Sequence, residues 1–291
     1  MRRTLPYRWS ARKLAAAGLL ALIGLLITID GWADIFHIAW VDEESSHIFL
    51  VLPICAWLIW VRRLRLRYCQ VKPSYVGVAI IALGWAMSSF GYRNAVQALF
   101  HGGSVLVVVG CVITVLGRDL LLRFLPAFFV LVFLIPVPGR IRQKVSIPMM
   151  STTARITQTV SEYLGVPVER SGNQLSINGK PVGIVEACNG LRMVFALVLV
   201  SYAFAFGEPL RNYVRLIILI ASPISAMLCN VVRLVPTLWA YGFAHESFAD
   251  QFHNFAGWAM LGVAFLTLMG IIRLLRWAMI PVGHYTLAAS V

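Results

Sequence analysis

The chain is a series of long apolar runs separated by short basic or turn-rich segments, and short strand-like runs occur only between residues 166 and 185. A helix crossing the ~30 Å hydrocarbon core of a bilayer needs about 20 apolar residues. Eight stretches meet or approach that length: 14–33, 47–61, 75–91, 103–117, 120–137, 190–206, 213–242 and 254–280, the second and fourth being the marginal ones. Arg2, Arg3, Arg8, Arg12 and Lys13 precede the first run as they would a signal peptide. Asp30, Trp32, Asp34 and Phe36 occupy the place of a small-residue cleavage site, so the run reads as a retained span.

One connection, 138–189, is far longer than the rest. From Ser146 to Leu164, Ile147, Met150, Ala154, Ile156, Val160 and Leu164 recur near the helical period with Thr152, Gln158 and Glu162 between them, which predicts an amphipathic helix at a membrane interface. Val166–Glu169, Gln174–Ile177 and Val182–Val185 then read as short strands, punctuated by Ser171-Gly172-Asn173 and by Asn178-Gly179, a hairpin dipeptide. A disordered connector is the alternative for this loop. The expected architecture is an all-α polytopic membrane protein of about eight transmembrane helices. It forms one integral membrane domain, 1–291, and carries a small extracytoplasmic insertion of helix plus β-meander within 138–189.

Composition agrees: 59% of the residues are hydrophobic and 13% charged, against roughly 25% charged for soluble domains. The net charge of +13 would suggest a nucleic-acid partner in a soluble protein. In a membrane protein its distribution matters more. With the N-terminus inside, 16 of the 25 Lys and Arg residues fall on cytoplasmic segments. These are Arg2, Arg3, Arg8, Arg12 and Lys13; Arg62, Arg63, Arg65, Arg67 and Lys72; and the pairs Arg118/Arg123, Arg211/Arg215 and Arg273/Arg276. The outer segments carry Asp34, Asp42, Glu43, Glu44, Glu162, Glu169, Glu186, Glu246 and Asp250. The reading is a multi-pass protein of the cytoplasmic (inner) membrane with both termini cytoplasmic. The charge is then a record of topology, and it gives no evidence of a nucleic-acid partner.

Candidate chemistry converges on the outer side. Of the five cysteines, Cys55, Cys69, Cys111, Cys188 and Cys229, none forms a C-x-x-C pair, which argues against a disulfide scaffold or a zinc site. No metal and no cofactor is expected. Cys188 stands at the outer mouth of the sixth span in Glu186-Ala187-Cys188-Asn189-Gly190-Leu191-Arg192. A thiol at a helix start, with Arg192 one turn on, is favoured as thiolate; the bland alternative is a small buried hydrophobe. Arg233 lies inside the seventh span in Asn230-Val231-Val232-Arg233-Leu234. An intramembrane arginine is costly and marks a site unless it is a structural pair. Asn230 shares its helix face. His253, at the outer start of the eighth span, suits proton transfer near neutral pH, although lone interfacial histidines are often structural.

The runs EACNGLR at 186–192 and NVVR at 230–233, with His253 four residues before Gly257, resemble the signatures of the exosortase/archaeosortase family of membrane cysteine transpeptidases. Ser46-His47 before Phe49-Leu50-Val51-Leu52-Pro53, Ile135-Pro136-Val137-Pro138 and Gly165-Val166-Pro167 are similar to further landmarks of that family. The resemblance covers about residues 40–258. Asn189 departs from it, since the family commonly has serine there. The resemblance implies that Cys188, Arg233 and His253 are catalytic and that Glu186, Asn189, Gly190, Arg192 and Asn230 bind substrate or support the site. It implies exported protein substrates that end in a sorting signal of short motif, transmembrane helix and basic cluster, passed through a thioacyl intermediate to an acceptor it does not name. The remaining expected partner is membrane lipid.

Rival readings start from the same residues. A small-molecule or ion transporter with Arg233 as an anion site lacks the internal repeat many transporters show. A quinone-linked thiol-redox protein needs outward cysteine pairs. Intramembrane serine proteolysis needs a base near Ser201, Ser222 or Ser225, and the sequence offers none close by.

Overall fold

A computed structural model describes residues 9–183 and 190–277. By its internal contacts the chain divides into one unit of Met1–Pro138, Tyr202–Leu210 and Gly283–Val291, and another of Gly139–Ser201 and Arg211–Val282.

The first unit is helical among its described residues. It contains α1 (Ala11–Ile27), α2 (Ile29–Val41), α3 (Ile48–Val61), α4 (Tyr75–Arg93), α5 (Gln97–Leu116), α6 (Arg118–Arg123), α7 (Leu125–Phe129) and a 3-10 turn at Val130–Leu134. Its centre is the antiparallel pair α4 and α5, held at close range by glycines. Gly77, Gly84 and Gly91 recur every seven residues on α4 and face Thr114, Gly103 and Phe100 of α5. In return Gly103 and Gly110 of α5 lie against Gly84, Ser88, Gly77 and Ile81. A Cβ on Gly84 would stand 2.8 Å from the Gly103 carbonyl oxygen, so the two backbones touch. Lipid tails are as apolar as leucine, which leaves van der Waals packing through small residues as the force joining such helices. α1 packs on a neighbouring face of α5 by Gly24, against Val107 and Cys111, and Gly31 of α2 meets Ser104.

The first apolar run is bent rather than straight: α1 and α2 meet at 76°. At the break, Thr28 leaves helical geometry, and both its backbone N–H (3.2 Å) and its hydroxyl (2.8 Å) donate to the Gly24 carbonyl. The run 120–137 is not one helix either. It divides at Phe124, just before Pro126, into α6, α7 and the 3-10 turn. Proline lacks an N–H, so Pro126 fits the first turn of the new helix, where that donor would have no partner within the helix.

The second unit contains α8 (Gly139–Tyr163), three strands, part of α9 (Leu191–Gly207), α10 (Asn212–Phe243) and α11 (Glu246–Trp277). The long connection is therefore structured, and the disordered alternative is set aside for residues 139–183. Strands β1 (Glu169–Ser171), β2 (Gln174–Ile177) and β3 (Lys180–Gly183) form an antiparallel meander in that order. Its two-residue turns are the tight types that match strand twist. Gly172 has φ +62°, while Asn178 and Gly179 have φ +52° and +72°. Pairing begins directly at the turns, with Ser171 opposite Gln174 and Ile177 opposite Lys180. That places β1 later and β3 earlier than the apolar runs predict. Leu175 and Ile177 point from β2 into a core with Ala154 of α8, Val168, and Leu234 and Leu238 of α10. Ile177 packs on Gly242, and the Asn178 amide donates to the Gly242 carbonyl at 3.4 Å.

α8 corrects one detail of the pattern. Its buried face is Ser146, Thr153, Ala154, Thr157 and Ser161, whereas Ile147, Ile156 and Leu164 are exposed. The apolar side chains of a helix at a membrane interface turn toward acyl chains, and small hydroxylic residues allow close packing on the protein side.

Among the described residues, α4, α5 and α10 are by length and composition long and apolar enough to cross a membrane, and the count rises to as many as five if each of two bent helix pairs is one span. α10 carries Pro223 and Pro236 without ending. Pro223 cannot donate to the Leu219 carbonyl, and the Ser222 hydroxyl takes that acceptor at 3.0 Å.

Candidate functional site

The second unit brings together residues from α9, α10 and α11. Gly190 accepts the first helical bond of α9, from the Val194 N–H at 2.9 Å, and holds φ +79°. Left-handed backbone suits glycine, and the contact makes it a requirement. A Cβ at Gly190 would stand 2.8 Å from the Asn230 Cγ. The main chain two residues beyond Cys188 therefore rests on the Asn230 side chain, which is fully buried on α10.

Arg233 follows Asn230 by one turn and is 5% exposed. Its Nη1 lies 3.3 Å from where a Cβ on Gly257 would be. Gly257 is one turn beyond His253 on α11, so the guanidinium is received on a surface that its lack of a side chain keeps open. His253 is half-buried. The Thr237 hydroxyl donates to the Arg233 carbonyl at 2.8 Å, one residue after Pro236. Near the end of α10 the Tyr241 hydroxyl donates to Asp250 at 2.7 Å, tying α10 to the first turns of α11.

Gly190 with Asn230 and Arg233 with Gly257 are thus two contacts made from positions one turn apart on α10, with His253 on the same helix as Gly257. Arg192 is half-buried in the first turn of α9. Glu186, Cys188 and Asn189 lie outside the described residues. A guanidinium buried at such a place can stabilise negative charge far more strongly than in water. A half-buried imidazole nearby can carry a proton. Sequence reasoning missed what the glycines do here. Gly257 stands in the motif only as a spacing, and its use, to admit Arg233, follows from the contact.

The other cysteines have ordinary surroundings. Cys69, Cys111 and Cys229 are buried and Cys55 is half-buried. Burial pushes the Cys69 thiol up to about 11, with the nearby Asp119 charge adding to the effect. Cys229 lies 3.9 Å from the Thr267 hydroxyl, and the Cys55 thiol donates to the Ala127 carbonyl at 3.2 Å. Among the described residues no group of His, Cys, Asp and Glu is arranged to hold a metal ion.

The family model described as transmembrane exosortase matches residues 32–270. No curated protein and no solved structure matches the chain. The match spans most of the sequence and takes in both helices of the Arg233–Gly257 contact: the chain is a multi-pass membrane protein that belongs to the transmembrane exosortase family.

Proposed function

We propose that this exosortase-family protein is a membrane-embedded cysteine protease or transpeptidase that removes the C-terminal sorting tail of exported proteins. The observation that supports the reading is the pair of contacts Gly190–Asn230 and Arg233–Gly257, which brings Gly190, two residues past Cys188 in sequence, together with Arg233 and the helix of His253.

In the mechanism, the Cys188 thiol gives its proton to His253 and its sulfur attacks the peptide carbonyl at the sorting motif. The S–C bond forms as the carbonyl π-electrons move to oxygen, and Arg233 stabilises the resulting oxyanion. Collapse breaks the C–N bond; His253 returns the proton to the departing amine, which carries the helical tail away. An acceptor amine or hydroxyl, or water, then attacks the thioester and restores the thiol. Gly190 packs on Asn230, and Arg192, four residues past Cys188 in sequence, adds positive charge. Glu186 and Asn189 bind substrate or support the nucleophile.

This reading sets the protein in the cytoplasmic membrane as one domain of about eight spans. Both termini are cytoplasmic and the site is extracytoplasmic. The β-meander is the docking surface for an extended motif by strand addition. The β2–β3 register supports one edge over the other. Lys180 pairs with Ile177 at the turn, so Pro181 is a non-hydrogen-bonded position whose nitrogen faces outward. A proline there blunts the outer edge of β3. β1 keeps the outward N–H and C=O of Arg170, opposite Leu175.

The test is co-expression with an exported protein carrying a motif–helix–basic tail. Tail removal is expected with the unaltered chain and lost in Cys188→Ala and Cys188→Ser, with membrane insertion retained. Continued removal by Cys188→Ala would overturn the mechanism.

A further inference from the structure

The first unit gathers basic side chains at one of its ends, from elements far apart in sequence. α1 runs antiparallel to α5, since Gly24 in its second half meets Val107 and Cys111 while Lys13 at its start bonds Val71, close to the Ser74–Thr114 hydrogen bond at the end of α5. The start of α1, the turn after α3, the start of α4 and the end of α5 therefore lie at one level. Hydrogen bonds fasten that level together. The Trp9 indole donates to the Leu66 carbonyl at 2.7 Å, the Lys13 ammonium to the Val71 carbonyl at 2.8 Å, and the Ser74 N–H to the Thr114 carbonyl at 3.0 Å. Gly117, with φ +94°, passes close under the Lys72 carbonyl.

Arg12, Arg63, Arg67, Lys72 and Arg118 are exposed on this level. Asp119 among them is engaged by the Gln70 N–H at 3.0 Å and by Arg123 Nε at 3.1 Å, and exposed Glu208 follows Phe206 by two residues. Arg62 turns inward and donates to the Phe206 carbonyl in the last turn of α9. Exposed aromatic side chains border the basic arc: Trp60, with the Arg63 guanidinium 4.6 Å from its ring centre, and Tyr75. Aromatic side chains beside cationic ones are the usual occupants of the headgroup layer.

We propose that this arc binds anionic phospholipid headgroups, making a shell of phosphatidylglycerol-type lipid around one end of the first unit. The occupant follows from charge complementarity: among the described residues five exposed cations meet two acids, Asp119, which is already engaged, and Glu208. The aromatic rim sets those cations at headgroup depth. The proposal is independent of the reaction at Cys188, and neither falls with the other.

The experiment reconstitutes the full-length protein in phosphatidylcholine vesicles with trace spin-labelled phosphatidylglycerol or phosphatidylcholine, and compares their association by electron spin resonance. Each basic side chain near an anionic headgroup favours association by roughly fivefold. A preference for phosphatidylglycerol of about that size is expected at low salt. It should fall toward none at 1 M salt, where the Debye length shrinks to ~3 Å. The combined substitution R12Q/R63Q/R67Q/K72Q/R118Q should abolish it, and the variant with lysine at the four arginine positions should keep it. Charge removal can also invert membrane insertion, so the salt titration of the unaltered protein and the lysine variant carry the test without a change in charge. Equal association of the two lipids at low salt overturns the proposal and leaves the arc as a record of topology alone. Displacement of the labelled lipid by soluble glycerol phosphate overturns it too, by showing a site for free phosphate.

Discussion

Gly77→Ala is the sharpest perturbation of the helix pair that organises the first unit. The added Cβ would lie 2.2 Å from the Thr114 nitrogen and 2.5 Å from its Cα, where ordinary contact is 3.4–4 Å. These are main-chain atoms, and no side-chain rotation can relieve the overlap. The two helices must separate by about 1 Å, and a gap of that size forfeits a quarter to a half of each ~0.1–0.2 kcal/mol atom contact along the seam. Overpacking of this kind costs about 1–3 kcal/mol. Alanine recovers ~1 kcal/mol over glycine as a helix former, which leaves a net loss of about 0–2 kcal/mol; a control that shares the helix gain without the overlap should differ from it by about 1–3 kcal/mol. The Ser74-to-Thr114 hydrogen bond at 3.0 Å sits beside the overlap and weakens with it. The assay is denaturant unfolding of the purified protein in mixed micelles, followed by tryptophan fluorescence. Gly18→Ala is the control, because Gly18 has nothing within 4 Å of the added carbon. A Gly77→Ala midpoint equal to or above that of Gly18→Ala would refute close backbone packing of α4 on α5.

Three further outcomes test the site and its surroundings. Gly257→Ala places a carbon 3.3 Å from Arg233 Nη1, so the guanidinium must shift by tenths of an ångström. Tail processing should fall several-fold, given that a ~1 Å misplacement costs about a hundredfold, while Gly262→Ala, with open space around it, should leave processing unchanged. His253→Gln should flatten the pH dependence of processing near neutrality; a variant with the unaltered pH profile would show that His253 is not the proton carrier. Cys69, buried and with its thiol held up to about 11, should resist maleimide at pH 7–8 in the folded protein and label once the chain is unfolded; prompt labelling of the folded protein would contradict its burial. The sign of the linked stability follows. The folded chain keeps this thiol proton more tightly than the unfolded one, so stability is unaffected below pH 9.0 and erodes between 9.0 and about 11.

The sequence made some of this legible and concealed the rest for physical reasons. Long apolar runs located α3, α4, α9 and α10 to within two residues and missed the first six residues of α5, and Asn178-Gly179 located the second hairpin turn, because both signals are local. The start of α11 at Glu246 was hidden: Ser247, Asp250 and Gln251 in its first turns are polar and fall outside any apolar run. Hydropathy also could not see the bend at Thr28, which depends on two donors reaching one carbonyl. The glycine seam was present as seven-residue spacings at 77, 84 and 91 and at 103, 110 and 117. A search for apolar runs passes over glycine, and only the pairing of the two helices gives those spacings meaning. Arg233 stood out because a cation in an apolar run is expensive. Its seat against Gly257, and that of Gly190 against Asn230, depend on which helices meet, and no local pattern states that.

The account rests on Cys188 as the nucleophile, and a trapped intermediate tests it most directly. The protein is mixed with a tailed substrate, quenched in acid and digested, and the peptide carrying residue 188 is read by mass spectrometry. The account predicts that this peptide gains the carboxyl end of the shortened substrate through a bond that hydroxylamine cleaves, as a thioester requires. Cleaved substrate without any such adduct on Cys188, together with undiminished cleavage by Cys188→Ala, would contradict it.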